Sequence, residues 1–461
     1  MHRAARTALI AWAAITLMVA ASLLLIGLRQ GAAGFAAYIQ QPPLINLPVT
    51  LSSVGLLWLS AGALLYLLAS GRVLASNALS VAGFFVVCWV YLNILSERFR
   101  YGDYQYYFDA ATRLASGQPL PATYFYPPLW ATLTQFLTPL GEDGFFLVLW
   151  FLNLFSLLLF YGLLHRALER YGFSARLAAL VATLFLLVNV PVLRTLVYVQ
   201  VNLHALNLLL LSILLYPRRS FASALTLALA VHLKSSPAVL VLAFLLQKDW
   251  RWLGWFALSM LGIAGLTMAT SGIAPFLDVL RNLQGLALSQ NTIFHDTSFD
   301  SFLRFVAHVL GMSPAIARVV AYVVKAGLLA AVVMIMLRAV RLAEFAAVDT
   351  PGSPVLNAAP PLFILMTLAS PVVWEHHGVF LALPFLLLLK RLDRPADWIW
   401  FAFAYLLEFL LPTFDFFPWS FGRLLAPLII LWLMWRTAGP PASHLFPALN
   451  AWFEMRAAAD V

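Results

Sequence analysis

Residues Tyr101–Trp130 read YGDYQYYFDAATRLASGQPLPATYFYPPLW. This polar, tyrosine-rich stretch interrupts a chain that is otherwise apolar, so it is where chemistry is expected. Tyr106, Tyr107, Ala110, Ala111 and Leu114 recur at helical spacing. Asp103 stands just before that pattern and is placed to cap it, because a carboxylate accepts from the free N–H groups of a first turn. Gly117 ends the helix, and Pro119 and Pro121 prevent its return. The closing YFYPPLW is stiff, since a residue before proline is pushed out of the α region.

Outward from this stretch, composition fixes the class. The 461 residues are 63% hydrophobic and 10% charged, with a mean hydropathy of +0.89. Soluble chains carry about 25% charged residues, so the expected fold is an all-α polytopic membrane protein. The net charge of +9 does not point to nucleic acid. Lys and Arg fall in short clusters between apolar runs, as membrane topology demands. The one cysteine, Cys88, lies inside an apolar run, which excludes an intramolecular disulfide and a cysteine-based metal site. The N-terminal MHRAAR and the run after it read as a retained first span rather than a cleaved leader.

A span needs about 20 apolar residues. The candidates are 7–28, 48–70, 75–96, 145–165, 177–193, 203–216, 221–233, 236–247, 252–271, 314–337, 358–373, 376–390, 396–412 and 418–435. Roughly 12–14 spans are expected, some of them short and buried in protein. The run 127–140, broken by Pro127, Pro128 and Pro139, is expected to be re-entrant or interfacial. With Arg3 and Arg6 inside, the basic clusters at 72, 166–176, 218–219, 248–251, 338–341 and 390–394 also fall inside. The outer face then receives 97–144, 194–202, the bend at Lys234, 272–313, Trp374–His377 and 413–419. The segment 342–357 reads as a loose inner linker. The whole chain, 1–461, reads as one membrane-embedded domain with 97–144 and 272–313 as its two long outer loops, the first holding an amphipathic helix.

The polar motifs thus collect at one interface, and each has two readings. Asp103 and Asp109 are a candidate general base or else a cap and a solvated acid. Gln200 and Asn202, in YVQVN, bind sugar hydroxyls or cap the next helix. Lys234, in HLKSSP, needs an anion or snorkels, and the following Ser235–Ser236–Pro237 can start a helix whose amides favour phosphate. Gln290, Asn291, His295, Asp296 and Arg304 lie in a stretch that turns amphipathic at its end. Arg304 is a phosphate ligand or part of an interfacial helix. In Trp374–Glu375–His376–His377, adjacent histidines cannot share one metal from one helix face, where ligands recur at three or four residues. A histidine donor toward a phosphate fits better, and an interfacial Trp-His belt is the plainer reading. Arg318, Lys325 and Glu408, inside apolar runs, pair or snorkel. No Walker, dinucleotide-binding or HExxH motif is present.

Taken together, GDYQYYFDAATRLASGQPL and YFYPPL resemble the first outer loop of glycosyltransferase family 87, a family of integral membrane GT-C enzymes that includes mannosyltransferases. VQVN is similar to its Gly-Gln-x-Asn stretch, with Val199 in place of Gly. HLKSSP is similar to its Lys-x-x-Pro region. SPVVWEHH is similar to its Ser-Pro-x-x-Trp-Asp-His-His motif, with Glu375 in place of Asp. The resemblance covers about residues 100–380. It implies an inverting transfer of a sugar, mannose foremost, from a polyprenyl phosphate on the outer face of the plasma membrane. The acceptor would be a hydroxyl of a glycolipid or cell-envelope glycan. It makes Asp103 the catalytic base and places Lys234 and His377 at the donor phosphate. Tyr104, Tyr107, Tyr126, Gln200, Asn202, Arg304, Trp374, Glu375 and His376 complete the expected substrate site. The lipid-linked sugar is a co-substrate, and neither a cofactor nor a metal is expected. The chemistry of the residues agrees. A lipid-phosphate donor needs no nucleotide fold, and cations beside the leaving phosphate stabilise its growing charge. A transporter or flippase for lipid-linked sugar, or a non-catalytic subunit presenting lipid, are the competing readings. A transporter would place its ionisable groups near the midplane and show paired halves, and no repeat is visible here.

Overall fold

The computed structural model describes residues 7–18, 102–187, 189–216, 218–288, 296–345, 354–411 and 419–437, with a few positions between 20 and 28. The expected spans 48–70 and 75–96 lie outside the described residues, as do Gln290, Asn291 and His295. Among the described residues every regular element is helical. Side-chain caps set several of the starts. Asn189 accepts from the Val192 amide at 2.9 Å to open Val190–Val197. Asp249 does the same for Trp252 at the head of Trp250–Ser271. Ser298 accepts from the Ser301 amide to start Phe299–Val309.

The Asn202–Leu215 helix lies at the centre. It packs on Gly141–Arg170 and on Ser220–Leu233, which packs in turn on Trp250–Ser271. One large apolar core runs through these helices and through Pro354–Leu368 and Gly422–Arg436. A second, smaller core gathers Tyr104, Tyr107, Tyr124, Trp130, Phe145, Val199 and Val201. The chain crosses from one core to the other between Val197 and Val199, and the polar residues of interest sit along that seam.

Two further contacts tie the expected outer segments together. The Ala274–Leu288 helix holds the proline strap that follows Gly117. Asp278 accepts from the Leu120 amide at 3.0 Å, and the Asn282 amide donates to the carbonyls of Pro121 and Tyr124 at 2.8 and 2.9 Å. Near the second loop's end, Thr297 N–H donates to the Val373 carbonyl and the Val373 amide donates to Asp296.

Among the described residues, three helices are long and apolar enough to cross a membrane: Pro128–Arg170, Trp250–Ser271 and Ala315–Arg338. Joining the bent pair Ala175–Leu186 and Val190–Val197 gives a fourth. Other candidate spans are shorter helices such as Asn202–Leu215 and Ser220–Leu233, in which Asn202 at the head of the first and His232 near the end of the second are buried. The 127–140 run folds as the short helix Pro128–Thr134 and the 3₁₀ turn Gln135–Leu140, with Pro128 at a first-turn position where no N–H is needed, Pro139 inside the 3₁₀ turn, and Gly141 at φ +70° at the head of the long helix. The 342–357 linker is partly helical, since Pro314–Phe345 runs on past residue 337 and a new helix starts at Pro354.

The strap contact is testable. Asn282→Leu leaves two backbone carbonyls without their donor, and each unsatisfied group costs about 1–3 kcal/mol. The variant should melt measurably below the wild type in the same detergent; an unchanged melting temperature contradicts the contact.

Candidate active site

Asp103 directly precedes the Tyr104–Ala115 helix, yet its side chain makes no cap. The expected capping role is therefore corrected, and the reason lies in what else the carboxylate meets. Its Oδ2 accepts a hydrogen bond from the Gln200 amide nitrogen and one from the Tyr126 hydroxyl at 3.4 Å. Gln200 is oriented by its other end, where Oε1 accepts from the hydroxyls of Tyr107 and Tyr126, each at 3.2 Å. With its oxygen so occupied, the amide nitrogen is turned to Asp103. Oδ1 of Asp103 has no hydrogen-bond partner among the described residues.

The backbone fixes Asp103 just as closely. Its amide donates to the Tyr198 carbonyl at 3.1 Å. Gly102 makes that approach possible, since a Cβ there would lie 2.7 Å from the Tyr198 Cα. Tyr198 ends the Val190–Val197 helix, and Val199 follows with φ of +54°. The Gln200 amide then reaches back to the Thr195 carbonyl at 2.9 Å, closing the left-handed turn that helices favour at their C-terminal end. Glycine is the usual residue at such a position. A valine there costs on the order of 1–3 kcal/mol in backbone strain. Its buried side chain offsets roughly 1.5–3 kcal/mol. The two nearly cancel, so the turn that aims Gln200 survives the departure from glycine.

Lys234 stands across the seam. It ends the Ser220–Leu233 helix in extended conformation, and its ammonium donates to Asn202 Oδ1 at 2.7 Å. It also lies over the rings of Tyr126 and Phe380, at 6.0 and 5.6 Å. Asn202 does not cap its helix; its amide nitrogen donates to the His376 carbonyl at 3.2 Å. Burial pushes the Asp103 carboxyl up to about 6, with the Gln200 hydrogen bond and the Lys234 charge offsetting part of the rise. Burial pulls Lys234 down to about 7, partly countered by Asp103. An acid and a base so placed both titrate near neutral pH, which suits groups that hold or move protons.

The histidine pair completes the wall. The rings of His376 and His377 stack at 4.7 Å. Nδ1 of His377 is held by the Trp374 backbone, 3.0 Å from its amide and 3.2 Å from its carbonyl. Nδ1 of His376 is buried without a hydrogen-bond partner among the described residues.

Not every expected residue joins this cluster. Tyr104 is buried against Phe146, with its hydroxyl 3.4 Å from Glu142. Arg304 lies 3.6 Å from Asp296, the residue that holds Val373. Trp374 lines a small cavity with Thr297, Thr367, Glu408 and Arg423. Glu375 is gripped by Arg194 at 2.7 Å and Arg423 at 2.9 Å, and Arg423 also lies 3.7 Å from Glu408. Asp109 is exposed on the far side of its helix and pairs with Arg113 at 3.0 Å. Sequence reasoning missed Arg194 and Arg423. Their signal was present, since Arg194 is the lone charge of an apolar helix and Arg423 stands in the first turn of another. Among the described residues no three His, Cys, Asp or Glu side chains gather as a metal site.

An all-helical chain whose apolar helices enclose an acid, a lysine and two histidines, with no nucleotide-binding element in its sequence, has the parts of a group-transfer enzyme. The family model of glycosyltransferase family 87 matches residues 124–371, more than half of the chain, and the chain belongs to that family. It is a glycosyltransferase, with a sugar donor and an acceptor as its substrates. No curated protein matches it. The matched range is narrower than the 100–380 over which the motifs resemble the family. It contains Tyr126, Gln200, Asn202, Lys234 and Arg304, and it leaves out Asp103, Tyr104, Tyr107 and the Trp374–His377 motif.

Gly102→Ala tests the seating of the acid. The added methyl must push the backbone off Tyr198 and carry Asp103 with it. A shift of about 1 Å at a reacting group costs up to roughly 10²-fold in rate. Glycosyl transfer by the folded variant should fall by that order, and transfer at the wild-type rate would show that this close approach does not matter.

Proposed function

We propose that this chain transfers a sugar, mannose foremost, from a polyprenyl phosphate to a hydroxyl of a glycolipid or cell-envelope glycan at the outer face of the plasma membrane, with inversion. The observation that carries the reading is the carboxylate of Asp103, held through Oδ2 by Gln200 and Tyr126 with Oδ1 left open, and close enough to Lys234 to feel its charge. In this reaction an acceptor oxygen attacks the anomeric carbon. The bond from that carbon to the phosphate oxygen breaks, and the electron pair leaves with the phosphate. The acceptor's proton passes to Asp103 Oδ1.

The residues around the carboxylate support these steps. Gln200 and Tyr126 hold one oxygen and leave the other for the acceptor. Lys234 supplies positive charge where the phosphate gains negative charge, and the His377 imidazole stands near it. The transition state has oxocarbenium character, as in glycoside hydrolysis, and the tyrosine faces suit a sugar ring. The polyprenyl tail needs an apolar path, and the exposed faces of Trp250–Ser271 and Pro314–Phe345 offer one.

The two acids separate the proposal from its alternatives. Asp103→Asn keeps shape and hydrogen bonding to Gln200 while removing the proton acceptor. Loss of a general base typically costs about 10²–10⁴ in rate. With purified protein and polyprenyl phosphate mannose, Asp103→Asn should fold, bind donor and turn over at least 10²-fold more slowly, while Asp109→Asn keeps most of its activity. Equal rates for Asp103→Asn and the wild type would reject the mechanism. A wild type that moves lipid-linked sugar between leaflets without forming a glycosidic product would favour a flippase.

A further inference from the structure

We infer that Glu375 is a positioning residue, locked by Arg194 and Arg423, and that this three-residue clamp sets the histidine pair against the Asp103–Lys234 seam. The inference rests on the reading above that the seam is where sugar transfer occurs. It gives Arg194 and Arg423 a part in that reaction and takes Glu375 out of direct contact with substrate.

The geometry runs as a chain of bonds from three distant parts of the sequence. Arg194 lies on the Val190–Val197 helix and Arg423 in the first turn of Gly422–Arg436. Both side chains are almost fully buried, at 3% and 6% exposure, so each guanidinium must have a counter-charge. Glu375 supplies it, one oxygen to each arginine. Arg423 is anchored further by the carbonyls of Glu408 and Leu411, and its charge by the Glu408 carboxylate. Arg194 also donates to the Tyr198 hydroxyl at 3.3 Å. One turn therefore carries the clamp on one side and the Tyr198 carbonyl that seats Asp103 on the other.

The next residues turn this grip into placement of the site. Immediately after Glu375, the His376 carbonyl accepts from Thr195 at 3.3 Å and from Asn202 at 3.2 Å. Thr195 is on the arginine-bearing helix, and Asn202 is the residue that holds Lys234. Gly378 lets the turn come close, since a Cβ there would lie 2.7 Å from Pro191. The Glu375 carboxylate thus fixes the register between the helix that aims Gln200 and the turn that carries His376 and His377. With each oxygen already engaged by an arginine, it is not disposed to receive a sugar hydroxyl.

A substrate ligand and a positioning residue fail differently when removed. Glu375→Gln keeps the size but withdraws the charge that both arginines need. With the full-length protein in detergent and polyprenyl phosphate mannose as donor, kcat should fall about 10–100-fold, while KM for donor and acceptor stays within about twofold. Glu375→Asp, which keeps the carboxylate, should recover part of the lost kcat. A loss confined to KM, or an unchanged kcat, overturns the inference. Where Glu375→Gln does not fold, Arg423→Lys, which keeps the charge and loses the two-pronged reach, carries the same kinetic test. Nitrogen-15 NMR of histidine-labelled protein gives a readout without turnover. The ring signals of His376 and His377 should shift in Glu375→Gln, and unshifted signals overturn the inference. A wild type with no transfer activity would instead defeat the functional reading, and the NMR comparison still decides the clamp.

Discussion

The hydrogen bond from Gln200 to Asp103 joins residues 97 apart in sequence, and the site depends on it. It requires the stretch 102–130 to dock on the end of the Val190–Val197 helix. That docking in turn needs Gly102 for close approach and a left-handed residue at Val199. Tyr107 and Tyr126 then fix the direction of the Gln200 amide. The acid is held by its neighbours' donors rather than by a helix end, so it does not serve as a cap.

Around this bond the protein balances buried charge locally. Asp103 faces Lys234 across the seam, Glu375 joins two arginines, and Lys325 pairs with Asp300. Isolated charges in such surroundings would be expensive, and removing one partner of a buried pair typically costs about 3–5 kcal/mol. The charges also connect elements that apolar packing alone would leave free to slide. The two apolar cores meet at the seam, and their join is made with polar contacts.

Much of this was legible in the sequence. The all-helical class follows from composition, and the Tyr104–Ala115 helix from its spacing and its Gly-Pro stop. Asp103, Gln200, Asn202, Lys234 and His377 stand out as polar residues in apolar surroundings, and the structure brings them to one place. Other features were hidden. Tyr104 looks like a sugar platform, but its ring packs edge-on against Phe146 and its hydroxyl lies 3.4 Å from Glu142, a contact 38 residues away that no local pattern announces. Glu375 looks like a ligand because the arginines that claim it come from helices about 181 and 48 residues away. Arg194 and Arg423 were visible as charges in apolar helices, yet nothing in the sequence says what they pair with. Long-range partners are set by packing, and packing is not written in local pattern.

The pH dependence of kcat/KM tests the central claim most directly, because it reports the free enzyme's essential groups. As the proposed general base Asp103 would act only when deprotonated, and burial lifts its carboxyl from 3.8 to about 6. Transfer from polyprenyl phosphate mannose should therefore rise with pH through an acid limb near 6, and the residual activity of Asp103→Asn should lack that limb. A profile that stays flat from about pH 5 to 7, or an acid limb that persists in Asp103→Asn, would contradict the account.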